Sequence, residues 1–191
     1  MPPAAAPRHP RLLDRDAAVV VVIDVQEAYR EVLFEYARVA RAAGILVQGA
    51  AALGVPVLVT EQYPKGLGHT AAEVAEHLPR GAAAIEKLTL SCCGTPLFTS
   101  TLARLRRRQV ILAGIETHAC VSQTAHDLMA AGYAVHVPRD TTSSRRAEDA
   151  AIGWDKMLGA GVVPATVESA LLELVRTAES PEFKLIQRLI K

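Results

Sequence analysis

The clearest signal along the chain is a series of short apolar runs separated by segments with helical spacing. Ala17–Asp24 is a continuous, valine-rich run that ends on a carboxylate, as expected of a strand buried on both faces. Apolar residues recur at helical spacing from about Glu31 to Leu53, where Gly54 stops them. Val55–Thr60 reads as a second strand. Glu61–Thr70 carries Pro64, Gly66 and Gly68 and reads as a loop, with a short helix at Ala71–His77. Further strands are predicted at Ala82–Lys87, Gln109–Ala113 and Ala134–Pro138, with a short one at Val162–Ala165. Helices are predicted at Pro96–Arg107, Ala119–Ala131, Arg146–Ala160, Val167–Ala178 and Pro181–Ile190.

Strand and helix alternate through most of the length. That order calls for parallel strands joined by crossover helices on both faces. The expected fold is a Rossmann-like three-layer α/β/α sandwich on a mostly parallel sheet of five or six strands. With 191 residues, half of them hydrophobic, the chain suffices for one domain, placed at residues 17–191. Residues 1–16, rich in proline and alanine, read as a poorly ordered arm without the pattern of a secretory signal.

Charge adds mainly exclusions. Basic and acidic side chains number 21 and 20, so nothing in the balance favours a nucleic-acid partner. Arg106–Arg108 reads as the solvated end of a helix. The longest apolar run is too short to cross a bilayer, so no membrane partner is expected. Cytoplasm is the default compartment, where three cysteines stay reduced and each is either core filler or chemistry.

In open parallel sheets, ligands bind beyond the carboxyl ends of the strands. Asp24 closes the first predicted strand, Lys87 closes the third, and Cys120 opens the helix after the fourth. A thiol in a helix's first turn meets the positive end of the dipole, which favours the thiolate; an enzyme predicts rapid alkylation at neutral pH, a catalytically silent fold a slow Cys120 with an ordinary thiol pKa. Taken alone, Cys120 is equally a small buried apolar residue, Asp24 a turn former and Lys87 a surface lysine paired to Glu86. Their convergence favours chemistry: Asp24 as base for the Cys120 thiol, Lys87 as partner to both. Cys92 and Cys93 read as incidental. His118 stands too close to Cys120 along one turn to serve as its base, and the remaining histidines show no metal-ligand spacing, so no metal is expected.

With those residues in view, the chain resembles the isochorismatase-like cysteine hydrolases, and within them the isochorismatase domain-containing group. The matching segments are Ile23-Asp24-Val25-Gln26, Thr60–Gly68, Glu86-Lys87, Gly114–Val121 with Gln123-Thr124, and Phe183–Ile186. The resemblance implies a catalytic triad of Asp24, Lys87 and Cys120. It also implies a non-proline cis peptide at Ile115–Glu116, with the backbone N–H groups of Glu116 and Cys120 as an oxyanion hole. The nicotinamidases of that superfamily carry an Asp-x-His metal motif where this chain has Glu61-Gln62-Tyr63. The implied enzyme therefore has no metal and no cofactor. Many relatives carry an aromatic where Leu90 stands, and Gln26, Tyr63 and Leu90 are the expected substrate-binding wall. The implied activity is hydrolysis of a small amide or related acyl C–N substrate through a Cys thioester. The alternative is a catalytically silent, oligomeric binding or scaffold relative. Apolar C-terminal helices suggest a homo-oligomer, a dimer or higher.

Overall fold

The computed structural model describes residues 8–191. Seven parallel strands form one open sheet: β1 Ala18–Ile23, β2 Val57–Gln62, β3 Ile85–Lys87, β4 Gln109–Ile115, β5 Ala134–Pro138, β6 Thr142–Ser143 and β7 Val163–Ala165. Their order is β3-β2-β1-β4-β5-β7, with β6 beside the end of β4. The eight helices among the described residues are α1 Tyr36–Ala52, α2 Pro64–Leu67, α3 Ala72–Ala75, α4 Pro96–Arg104, α5 Ser122–Ala130, α6 Ala147–Ala160, α7 Val167–Val175 and α8 Phe183–Leu189.

The period-two alternation of β1 divides the core. Val20 and Val22 pack with Val39 and Leu46 of α1, Leu171 and Leu174 of α7 and Ile186 of α8. Val19, Val21 and Ile23 face the other way, toward Phe98 of α4, Leu128 of α5 and Met157 of α6. Every residue of β1 and β4 is buried, which is why both read as unbroken apolar runs rather than alternating ones. The strand order reverses direction between β1 and β4, which are paired from Ala18↔Gln109 to Ile23↔Gly114. This is the switch point at which such sheets leave a crevice.

Several expectations change in detail. The sheet has seven strands rather than five or six, because β6 is only two polar residues whose pairing with Gly114 and Ile115 has no apolar signature. The first helix starts at Tyr36, not Glu31. Glu27–Tyr29 forms a separate 3-10 turn, and Glu35 takes a left-handed conformation (φ 56°) that breaks any continuous helix. Of the N-terminal arm, residues 1–7 lie outside the described residues, whereas Arg8–Asp16 dock onto the domain. Leu13 is fully buried, its N–H donates to Glu173 Oε2 at 2.8 Å, and the Asp14 N–H donates to Gln109 Oε1 at 2.7 Å.

His136 on β5 is buried beside Ile111, and its Nε2 lacks a hydrogen-bond partner. Burial alone pushes its pKa down to about 4. A depressed folded-state pKa means stability that is present above the ordinary imidazole value and lost as pH falls through 4. Between pH 7 and 4 this one group should remove roughly 3 kcal/mol. Urea unfolding at both pH values should show that loss in the native protein and not in His136→Val; equal losses would refute it.

Candidate active site

The end of β1 turns sharply at Asp24, which adopts φ 53° and is 2% exposed. Aspartate tolerates this left-handed region better than most residues, but it remains sparsely populated. Two hydrogen bonds tie the turn to β2. The Asp24 N–H donates to the Thr60 carbonyl at 3.1 Å, and Thr60 Oγ1 donates to Asp24 Oδ1 at 2.8 Å. The other oxygen, Oδ2, faces Lys87 Nζ at 2.6 Å.

Lys87 reaches this point because parallel pairing sets it level with Gln62 at the end of β2. Its side chain is fully buried. The ammonium donates to Gln62 Oε1 at 2.7 Å and to the carbonyls of Thr89 and Leu90, each at 3.2 Å. It also donates to Cys120 Sγ at 3.5 Å. Burial is the largest influence and pulls the lysine pKa down, but the charge and hydrogen bonding of Asp24, with smaller contributions from Cys120 and Cys92, together raise it and favour the cation.

Cys120 follows β4 through an unusual corner. Gly114 has φ +126°, and a Cβ there would lie 2.0 Å from the Ile23 carbonyl oxygen, so only glycine lets β4 approach β1 this closely. The Ile115–Glu116 peptide is cis. The chain then forms a π turn, Thr117–Val121, before α5 begins. Helix α6 packs tightly on that turn at Gly153, where a Cβ would come within 2.7 Å of the His118 Cα. The side chain of Glu116 is held away from the thiol by Arg145, whose N–H and Nε donate to Glu116 Oε1 at 2.9 and 3.1 Å.

The structure thus brings Asp24, Lys87 and Cys120 into one buried group, and it corrects the expected state of the sulfur. Burial, reinforced by the Asp24 charge and only partly opposed by Lys87, pushes the Cys120 thiol up to about 12. The sulfur keeps its proton at neutral pH. The expected dipole effect of a helix start does not prevail, because the thiol sits in a buried π turn facing a carboxylate. Slow alkylation at neutral pH is therefore the expected outcome, checked by iodoacetamide labelling of Cys120.

The expected wall residues fall in different places. Gln26 is fully buried. Its amide donates to the carbonyls of Gln62 and Gly68 and accepts from the Gln62 N–H, stapling β1 to β2. Tyr63 is half exposed on a cleft of about 350 Å³ along the free edge of β3, with Pro64, Lys65, Glu86, Lys87 and Leu88. Leu90 is half exposed, and its contribution to the buried group is its carbonyl.

Four contributors went unread in the sequence: Thr60, Gln62, Tyr29 and Arg145. Thr60 and Gln62 were recoverable from the pairing of β2 with β1 and β3; Tyr29 and Arg145 depend on loop paths that carry no local pattern. Burial raises the Tyr29 phenol, and the charges of Glu116 and Asp24 add to it. Among the described residues, no cluster of three or more His, Cys, Asp or Glu is placed to hold a metal ion, and no helix is long and apolar enough to cross a membrane.

Comparison with known proteins agrees with this fold. Residues 18–169 match the isochorismatase domain. Isochorismatase domain-containing protein 1 of Salmo salar is 43% identical over 169 residues, covering 88% of this chain and 59% of that protein. Its Danio rerio counterpart is 39% identical over 175 residues, covering 91% and 61%. The chain thus spans about three fifths of the length of both. The structure of MAR1 Ribonuclease from Caenorhabditis elegans superposes with a TM-score of 0.90 at 36% identity, covering 94% of this chain and 92% of that one.

Proposed function

Because the chain belongs to the isochorismatase family, whose members are generally hydrolases, we propose that it is a cysteine hydrolase acting on a small amide or related acyl C–N substrate. One observation carries the reading: a buried ammonium stands 2.6 Å from the Asp24 carboxylate and 3.5 Å from the Cys120 sulfur, at the switch point of the sheet. Since the sulfur holds its proton, attack and proton transfer go together. Asp24 takes the thiol proton as sulfur bonds to the carbonyl carbon, and the backbone N–H groups of Glu116 and Cys120 hold the oxyanion. The intermediate collapses as Asp24 returns the proton to the leaving nitrogen. Asp24 then takes a proton from water, whose oxygen attacks the thioester, and the released sulfur recovers a proton. Lys87 stays charged throughout and offsets the carboxylate.

The proposed enzyme uses no cofactor or metal, works in the cytoplasm on a small molecule, and touches neither nucleic acid nor membrane. Tyr63 and Leu90 are its proposed rim contacts. Half-exposed leucines on the last three helices, Leu158, Leu172 and Leu185, support a homo-oligomer; a monomer mass by light scattering would reject it. Cys120→Ala should fold normally and lose turnover on an amide panel by roughly 10³-fold or more. Undiminished turnover would end the covalent mechanism. The similarity to a structure named a ribonuclease puts RNA in the same panel, where cleavage by the wild type and by Cys120→Ala alike would favour that other activity. A panel without turnover would leave a silent binding or scaffold protein.

A further inference from the structure

The Asp24 carboxylate is served on its second oxygen by a short relay that the triad does not include. Thr60 Oγ1 lies 2.8 Å from Asp24 Oδ1 and 3.8 Å from Cys92 Sγ, and all three side chains are buried. A threonine hydroxyl has one hydrogen, and an ionised carboxylate only accepts. The Thr60 hydrogen is therefore committed to Asp24, which leaves the Cys92 S–H as the donor to the Thr60 oxygen. Cys92 suits that role, because burial raises its thiol and keeps the proton on sulfur. Its own position is fixed from behind, where the Cys92 N–H donates to Thr124 Oγ1 of α5 at 2.9 Å.

We propose that Thr60, aimed by the Cys92 thiol, is a positioning residue that fixes the plane of the Asp24 carboxylate so that Oδ2 stays against Lys87, which in turn reaches Cys120. The proposal rests on the reading of Asp24 as the base, and it assigns Cys92 a task in the site. The titratable groups around that carboxylate are Lys87 on β3, Cys120 on the π turn, Cys92 before α4, and Tyr29. Of these, Cys120 reports on the carboxylate without any substrate, since the Asp24 charge helps hold its proton.

The test is alkylation of the full chain by iodoacetamide between pH 7 and 9.5, read by peptide mass at Cys120, with half-buried Cys93 as internal reference. In Thr60→Val the carboxylate moves off the sulfur, and Cys120 labelling should quicken about tenfold at a given pH. Thr60→Ser, which keeps the hydroxyl, should label like the wild type. In an Asp24→Asn background, Thr60→Val should add nothing, because its effect passes through the carboxylate. An unchanged rate in Thr60→Val, or the same acceleration with Asp24 absent, overturns the proposal. Cys92→Ala leaves Thr60 in place and should accelerate labelling about threefold. No change there removes Cys92 from the relay and, should Thr60→Val not fold, rejects the proposal. The labelling result stands apart from the hydrolase reading: turnover surviving in Cys120→Ala would sink that reading and leave the relay intact.

Discussion

Asp24→Asn is expected to move two properties of Cys120 in opposite directions: turnover falls while alkylation quickens. The carboxylate does two things to the sulfur. In its proposed role as base it receives the thiol proton during attack, and loss of a positioned base costs about 10²- to 10⁴-fold in rate. As a fixed negative charge it raises the thiol, second only to burial and against the pull of Lys87. Asparagine keeps the shape and removes the charge, so Lys87, at 3.5 Å, is left facing the sulfur alone. Burial remains, so the thiol stays above its ordinary value. One unit of relief gives tenfold more thiolate, and labelling at pH 8 should quicken roughly tenfold or more. An accelerated thiol with lost turnover identifies a carboxylate needed to move the proton rather than to keep sulfur ionised. Unchanged or slower labelling in Asp24→Asn would show that the carboxylate does not govern the thiol.

The sheet was largely legible because burial on both faces writes continuous apolar runs. β5, at Ala134–Pro138, lies where the pattern placed it. β6 was invisible, since two polar residues pairing with the end of β4 leave no period to detect. The proximity of Asp24, Lys87 and Cys120 was legible because reactive side chains at strand ends stand out against apolar runs. The state of the thiol was not. It depends on burial and on the distances to two other groups, and these are set by the corner at Gly114 and the π turn held by Gly153. A sequence shows that a cysteine starts a helix; it does not show that the turn is buried and faces a carboxylate. Cys92 carries no signal in the sequence for the same reason: its partner, Thr60, lies 32 positions away.

The largest stability effect should come from Lys87→Met. The lysine side chain has no exposure, and the Asp24 carboxylate it faces has 2%. An exposed ion pair contributes about 0–1 kcal/mol because water replaces either partner. Here water does not replace the ammonium. Methionine fills much of the same volume, but Asp24 keeps only the Thr60 hydroxyl as donor, and Gln62 and the carbonyls of Thr89 and Leu90 lose theirs. A buried charge stripped of its partner destabilises by roughly 3–5 kcal/mol, and urea unfolding at pH 7 should show a loss of that size. Removing both charges, in Asp24→Asn with Lys87→Met, should recover much of it, since the penalty lies in the uncompensated carboxylate. The pH dependence has a definite sign. The Lys87 pKa is raised in the folded state, so its contribution is fully present below the ordinary lysine value and lost only as pH rises through the raised one. The deficit of Lys87→Met should therefore be flat from pH 6 to 9. A loss under about 1 kcal/mol, or a double variant no more stable than Lys87→Met, would mean that water reaches the pair and that Asp24 and Lys87 are not the sealed charge couple on which the proposed chemistry relies.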